Sequence, residues 1–491
     1  MSTKKWFPFA PPASVSRPKE VPIAIAIASV EKTALMEDSS LVKVQSRSEM
    51  SALKMSETMA LLLIPTPEAS PLLLHFSGHG HLTLLKGECE VHGFQLGLGD
   101  RREVTCPSWM PSYPILCSKG KKIRKGLFPM TLPCLQDKEL IASLSSYDVV
   151  LCLEGEDVSK LEWLVRVDVG QDQIRALEVA HASGEVLSCD FIALRSLLLY
   201  KSNTFSAPST LPESLDLESL IIPGSWSTAI KTVCAAPPYS SPRTLFCGAK
   251  GVGKSTCLRQ TINALLSKRR GVKYAAVIDC DIGQPEFSLP GFVSLTMLNT
   301  DSPRLVPPHL SLVSPTLQFF LGDVTNKNEP QFLPSALRQC FLRYEELKAE
   351  IEEHGDLEAV ASRTKLKNGG QFAPLLSKER GELPLLINTD GWIKGMGLEV
   401  LFEVIRATQP SFILHLTSPR NADLPALSVA PENAVIITLE TGRDVPSRVL
   451  SADLRLLRYR SQPCYYPSSS LIYPVCVDSL PISCDTQALL P

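Results

Sequence analysis

The octapeptide Gly248-Ala249-Lys250-Gly251-Val252-Gly253-Lys254-Ser255 constrains this chain more than any other feature. It matches the spacing G-x-x-x-x-G-K-[ST], whose glycines let backbone N–H groups turn inward around phosphate oxygens where a helix begins. The flanks agree with that use. Thr244-Leu245-Phe246-Cys247 ahead of it is a short apolar run, read as a strand. Ser255–Lys268 behind it carries apolar residues at 257, 258, 262, 265 and 266, a helical spacing. Lys268-Arg269-Arg270-Gly271 closes that helix with cations and a glycine, as the helix dipole and C-cap geometry favour. A strand–loop–helix of this kind predicts a nucleoside triphosphate cradle over Gly248–Thr256. Lys254 would reach the β- and γ-phosphates and the Ser255 hydroxyl would ligate Mg²⁺.

The pattern continues downstream. Tyr274–Ile278 (YAAVI) is a continuous apolar run, typical of a parallel strand buried on both faces. Leu385-Leu386-Ile387 repeats that signal, Leu398–Ala407 reads as a helix and Phe412–Leu416 as a further strand. Strands alternating with helices predict an α/β fold with a parallel sheet flanked by helices. Residues 345–382 are charged and loop-like, and read as a surface helix with an insertion. Upstream the signal is β-rich. Leu82-Thr83-Leu84 and Cys89–Leu96 alternate with glycines between them, and Val149–Leu153 is another strand candidate. Leu161–Val179 is mixed and gives no element. Residues 202–242, rich in Ser and Pro, read as a linker, and residues 1–50 as a flexible leader. Past 417 the chain is broken by Pro and Ser, with short apolar pieces such as Leu471–Val477.

Composition narrows the classes. The 14 cysteines are scattered and form no C-x-x-C, which argues against structural zinc and against a disulfide scaffold. Reduced thiols of a cytosolic or nuclear protein are the simplest reading. No apolar stretch spans a bilayer, and Val21–Val30 (VPIAIAIASV) lacks the basic lead-in of a signal peptide. With a net charge of −2, a nucleic acid would have to be held by local basic patches. Lys119–Lys125 (KGKKIRK) reads as such a patch, as a nuclear-localisation signal or as a plain solvated loop. His75, His79, His81 and His92 match no metal-ligand spacing and read as strand or loop surface.

The second chemical cluster is Asp279-Cys280-Asp281-Ile282-Gly283-Gln284-Pro285-Glu286-Phe287, where the apolar strand 274–278 ends. In open parallel sheets ligand groups collect at the carboxyl ends of strands. Two acids there can hold the water shell of Mg²⁺ or take a proton from an attacking hydroxyl.

Asp279–Gly291 (DCDIGQPEFSLPG), the P-loop and Ile387–Gly397 (INTDGWIKGMG) together resemble the eukaryotic polynucleotide 5′-hydroxyl kinases. The Gln-Pro-Glu-Phe continuation and the Asn-Thr-x-Gly-Trp box resemble the nucleolar, pre-ribosomal-RNA-processing branch. The β-like segment Gly80–Leu96 is similar to that branch's N-terminal domain. The resemblance implies three parts: a β-rich N-terminal domain (51–235), a central P-loop kinase domain (236–416) and a small C-terminal domain (417–491). It implies ATP and Mg²⁺ as cofactors and transfer of the γ-phosphate to an RNA 5′-hydroxyl. In that branch the acceptor end comes from an endonucleolytic cut in the second internal transcribed spacer, and the kinase works in the nucleolus in complex with the endonuclease. By position, Asp281 matches the catalytic aspartate and Asp279 an acid that supports the metal shell. Gln284 falls close to the reacting phosphate. Trp392 matches a Trp that can stack near the nucleic acid, or is a core aromatic. Asp453–Arg460 resembles a mobile lid, with Arg455 in the best-matching position; Ala452 stands where a second arginine is often found. Arg458 or Arg460 could substitute for it, or belong to a solvated basic helix. Two other readings stay open: an ATP-bound scaffold subunit of an RNA-processing complex, and a P-loop NTPase switch.

Overall fold

The computed structural model describes residues 50–56, 58–65, 72–107, 110–120, 144, 146–155, 191–194, 196–201, 220–237, 240–268, 272–301, 305, 313, 315–354, 381–417, 424–441, 455 and 472–474. The leader up to residue 49, the stretch Leu161–Val179, Lys121–Lys125 and the lid residues other than Arg455 lie outside them.

The first sheet has ten strands: β1 (Ser51–Lys54), β2 (Met59–Ile64), β3 (Leu72–Lys86), β4 (Glu88–Val91), β5 (Phe94–Leu96), β6 (Arg101–Cys106), β7 (Tyr113–Ser118), β8 (Val149–Gly155), β9 (Phe191–Leu194) and β10 (Leu197–Lys201). Its pairings are antiparallel, and the 15-residue β3 is its spine, pairing with β6, β7, β8 and β10 along its length. β2 and β8 read as unbroken apolar runs because both of their faces are covered. Ala60, Leu62, Ile64, Val149, Leu151 and Leu153 enter one core, while Leu61, Leu63, Val150 and Cys152 enter another. Three of the four histidines correct the expectation of surface: His75, His79 and His81 lie in β3, and His75, His79 and His92 are buried while His81 is half-buried. Lys119 pairs with Asp148 at 3.3 Å.

The helix α1 (Gly224–Cys234) then falls inside the stretch expected to be linker, and buries Trp226, Ala229, Ile230 and Val233. The second sheet follows: β11 (Arg243–Cys247), α2 (Lys254–Lys268), β12 (Tyr274–Asp279), β13 (Phe292–Asn299), β14 (Leu317–Phe320), α3 (Phe332–His354), β15 (Leu385–Asn388), α4 (Met396–Thr408), β16 (Phe412–Thr417), a 3₁₀ turn (Pro425–Val429), β17 (Val435–Glu440) and β18 (Ile472–Pro474). Its order is β17-β16-β11-β15-β12-β13-β14-β18. The first five strands are parallel, as expected. β13 runs antiparallel to β12 and to β14, so the sheet is mixed rather than parallel throughout. β17 and β18 extend the same sheet beyond residue 417. Alternate residues of each central strand feed opposite cores. Leu245, Ile278 and Ile387 pack towards α3 and α4, whereas Phe246, Val277 and Leu386 pack towards α1 and α2. Among the described residues no helix is long and apolar enough to cross a membrane.

The two sheets meet through α2. Asn263 donates to the His92 carbonyl at 2.9 Å, and the Gln95 N–H donates to Ser267 Oγ at 2.9 Å.

Candidate active site

β11, β15 and β12 are neighbours in the second sheet, and each ends in one of the three segments singled out in the sequence. The P-loop leaves β11, the Asn388–Trp392 box leaves β15 and the acidic loop leaves β12. Parallel strands put all three on one edge, the place where an open α/β sheet binds ligands.

The P-loop turns through Gly248, Gly251 and Gly253 at φ values of 142°, 82° and 95°. Only glycine adopts such backbone without strain. Gly253 has a further reason to lack a side chain, because a Cβ there would stand 2.7 Å from the Trp226 ring. Trp226 is held in turn by its indole N–H, which donates to the Glu440 carbonyl at 2.8 Å. Lys254 is 7% exposed. Its Nζ donates to the carbonyls of Gly248 at 3.1 Å and Ala249 at 3.0 Å, so it lies along its own loop. Burial lowers its pKa, while Asp281 and Asp390 pull it back up. Ser255 and Thr256 are half-buried in the first turn of α2.

In the acidic loop, Asp279 is fully buried and serves as the frame. Its Oδ1 accepts the Asp281 N–H at 3.1 Å and Asn388 Nδ2 at 2.9 Å, and its Oδ2 accepts the Glu286 N–H at 2.5 Å. Burial, with the Asp281 charge, pushes its carboxyl up to about 7. Both oxygens of Asp279 are thus engaged in holding the loop. Asp281 is half-buried, and its Oδ1 accepts the N–H groups of Gly283 at 3.1 Å and Gln284 at 3.0 Å. Burial raises its pKa against the pull of those two N–H groups and of Lys254.

The box supplies an acid that sequence reasoning passed over. Asp390 accepts the Trp392 N–H at 3.1 Å on Oδ1 and Asn326 Nδ2 at 3.0 Å on Oδ2. Burial raises its pKa, opposed by those same two donors. The signal was present, since Asp390 is the variable position of the Asn-Thr-x-Gly-Trp box at a strand's carboxyl end. Asn326, in the loop after β14, carried no motif. Thr389 Oγ1 donates to the Phe246 carbonyl at 2.8 Å, which ties the box to the strand that carries the P-loop. Gly391 lets the box touch the P-loop itself: a Cβ there would fall 2.5 Å from the Lys250 nitrogen. Trp392 is half-buried, with Gly397 packed against its ring.

Lys254, Asp281 and Asp390 are thus close enough to shift one another's protonation, and Gln284 hangs on Asp281. Arg455 is helical and half-buried. Among the described residues no hydrogen bond or ion pair joins it to these groups. A lysine lying along a loop of positive-φ glycines, with acids on the loops of the two neighbouring strand ends, fits a phosphate chain with its divalent metal.

The family model for the mRNA cleavage and polyadenylation factor CLP1 P-loop matches residues 248–356 and 372–461. The Arabidopsis thaliana polynucleotide 5′-hydroxyl-kinase NOL9 is 34% identical over 209 residues, which is 42% of this chain and 48% of that protein. The Bos taurus polynucleotide 5′-hydroxyl-kinase NOL9 is 24% identical over 380 residues, covering 75% of this chain and 46% of that one. The Schizosaccharomyces pombe polynucleotide 5′-hydroxyl-kinase grc3 is 27% identical over 228 residues, 45% and 27% of the two chains. This chain spans about half or less of the length of these curated relatives. Among solved structures, the wild-type Clp1p–Pcf11p complex aligns with a TM-score of 0.43 at 13% identity, covering 83% of this chain and 72% of that one.

Proposed function

We propose that this chain, a homologue of the polynucleotide 5′-hydroxyl-kinases, transfers the γ-phosphate of ATP to the 5′-hydroxyl end of an RNA. The observation that carries the reading is that the P-loop, the acidic loop and the Asn388–Trp392 box leave three adjacent strand ends and touch one another, Asn388 on Asp279, Thr389 on Phe246 and Gly391 against Lys250. A phosphate cradle alone serves any P-loop protein. An aspartate with one oxygen held by backbone N–H groups, at a strand end beside the phosphate cradle, is what activation of an attacking hydroxyl needs.

In this reading Gly248–Thr256 wrap the triphosphate, and Lys254 leaves its loop carbonyls for the β- and γ-phosphate oxygens. Asp281 takes the proton of the 5′-hydroxyl, with Oδ1 anchored by Gly283 and Gln284. Ser255 ligates Mg²⁺, Asp279 fixes the loop behind it, and Asp390 adds a second carboxylate beside the phosphates. Bound Mg²⁺ supplies charge neutralisation on the transferring phosphoryl group. Trp392 offers a stacking surface to the end nucleotide, a contact that tolerates any base. Arg455 closes on the phosphoryl group from the lid. We assign three parts to the chain, with boundaries near 235 and 416 across which α1 and β17 still join the second sheet, and place the acceptor end at an endonucleolytic cut in the second internal transcribed spacer of pre-rRNA. The endonuclease would be the partner and the nucleolus the site. The Gln-Pro-Glu-Phe continuation and the Asn388–Trp392 box support that branch.

The test is transfer from γ-labelled ATP to paired RNA and DNA oligonucleotides with 5′-hydroxyl ends. The wild type should label RNA. Asp281→Ala should lose at least about 100-fold in rate, in the range expected for a general base, while still binding ATP. A wild type that labels neither end, with or without the nuclease partner, overturns the reading.

A further inference from the structure

We infer that the buried Arg259–Glu286 pair is a positioning device, which sets the acidic loop against the P-loop helix. The inference rests on the kinase reading and extends it. Arg259 stands in the second turn of α2, and Glu286 lies in the same loop as Asp281. The guanidinium fork meets both carboxylate oxygens, Nε to Oε2 at 3.0 Å and Nη2 to Oε1 at 3.3 Å. The two side chains are 10% and 3% exposed.

A chain of bonds leads from this pair to the reacting acid. The Glu286 N–H is held by Asp279 Oδ2, and Asp279 Oδ1 holds the Asp281 N–H. Moving Glu286 therefore moves the frame on which Asp281 sits. Burial pulls the Arg259 pKa down, and Glu286 with Tyr113 more than restores it. The fork thus ties the P-loop helix to the acidic loop.

Energetics say why such a pair is there. Removing two charges from water is costly, and an apolar pair of similar volume stabilises a core as well or better. What a planar fork on a carboxylate adds is a fixed angle and distance. A buried fork at the root of the acidic loop is better suited to orientation than to stability.

The full chain with γ-labelled ATP and a 5′-hydroxyl RNA tests this, with kcat, the KM for ATP and Tm read for each variant. Arg259→Met combined with Glu286→Met removes both charges while keeping apolar volume. It should melt within a few degrees of the wild type and hold its KM for ATP within about threefold, with kcat at least tenfold down. Arg259→Lys keeps the charge but not the fork, and should show the same split of kcat from KM should the double variant fail to fold. Wild-type kcat in either folded variant overturns the inference alone. A wild type that labels nothing overturns the kinase reading, and this inference with it.

Discussion

His92 occupies the turn between β4 and β5 at φ 47°, with its ring stacked on Tyr113 at a centroid distance of 4.7 Å. Burial, reinforced by the nearby Arg259 charge, lowers its pKa to about 3, and burial lowers that of His75 to about 4. Both rings fold neutral, whereas the unfolded chain takes up their protons below about 6.5. Stability is therefore present above that pH and is lost as pH falls towards the folded values. The slope is about 1 kcal/mol per pH unit for each ring. Asp279 runs the other way. Its folded value is raised to about 7, so its contribution is complete below about 4 and is lost as pH rises to about 7. Replacing His92 by Asn, which tolerates positive φ, should flatten the acid side by about 1 kcal/mol per unit between pH 6.5 and 5. Urea melts at pH 7, 6 and 5 measure this, and parallel slopes for the two proteins would rule it out.

At the scale of elements, the three site loops were legible as fragments, but their contact was not. The P-loop announces itself because its glycines and Lys254 serve one ligand at fixed spacing. The box was visible as Asn388–Trp392, yet nothing in one dimension says that β15 inserts between β11 and β12. Nor does it say that Gly391 then lies on Lys250. β13 was not read from the sequence, and a strand with buried residues on both faces would in any case read alike in either direction. α1 was hidden by Ser- and Pro-rich flanks, although Trp226, Ala229, Ile230 and Val233 follow helical spacing. In α3 attention went to the charged end, while Leu333, Leu337, Cys340, Tyr344, Leu347 and Ile351 form the buried stripe. Gly391→Ala tests the contact that sequence could not supply. Its Cβ would meet Lys250 backbone atoms at 2.5 and 2.6 Å, which only a shift of one loop relieves. We expect a loss of about 1–3 kcal/mol, as for overpacking, with labelling reduced about tenfold or more. Gly224→Ala, where a Cβ meets nothing within 4 Å, is the neutral control.

Across the whole molecule, α2 is the shared member. Its first turn belongs to the P-loop, Arg259 reaches the acidic loop, and Asn263 and Ser267 hold the β4–β5 hairpin of the first sheet. Nucleotide bound at one end of this helix should therefore be felt at the other. Mg²⁺–ATP at about 100 times its Kd should stabilise the native state by about 2.7 kcal/mol. Its effect on hydrogen exchange should extend past Lys254 to the amides of 263–267 and 94–96. Lys254→Met separates this from general tightening. The substitution leaves the Gly248 and Ala249 carbonyls and the neighbouring carboxylates without their cation, so the ligand-free protein should melt somewhat lower than the wild type, and the shift on adding Mg²⁺–ATP is the readout. With the phosphate contact gone, both the rise in Tm and the added protection in the first sheet should vanish together. Protection confined to Gly248–Ser255 in the wild type would show instead that the two sheets respond to nucleotide independently.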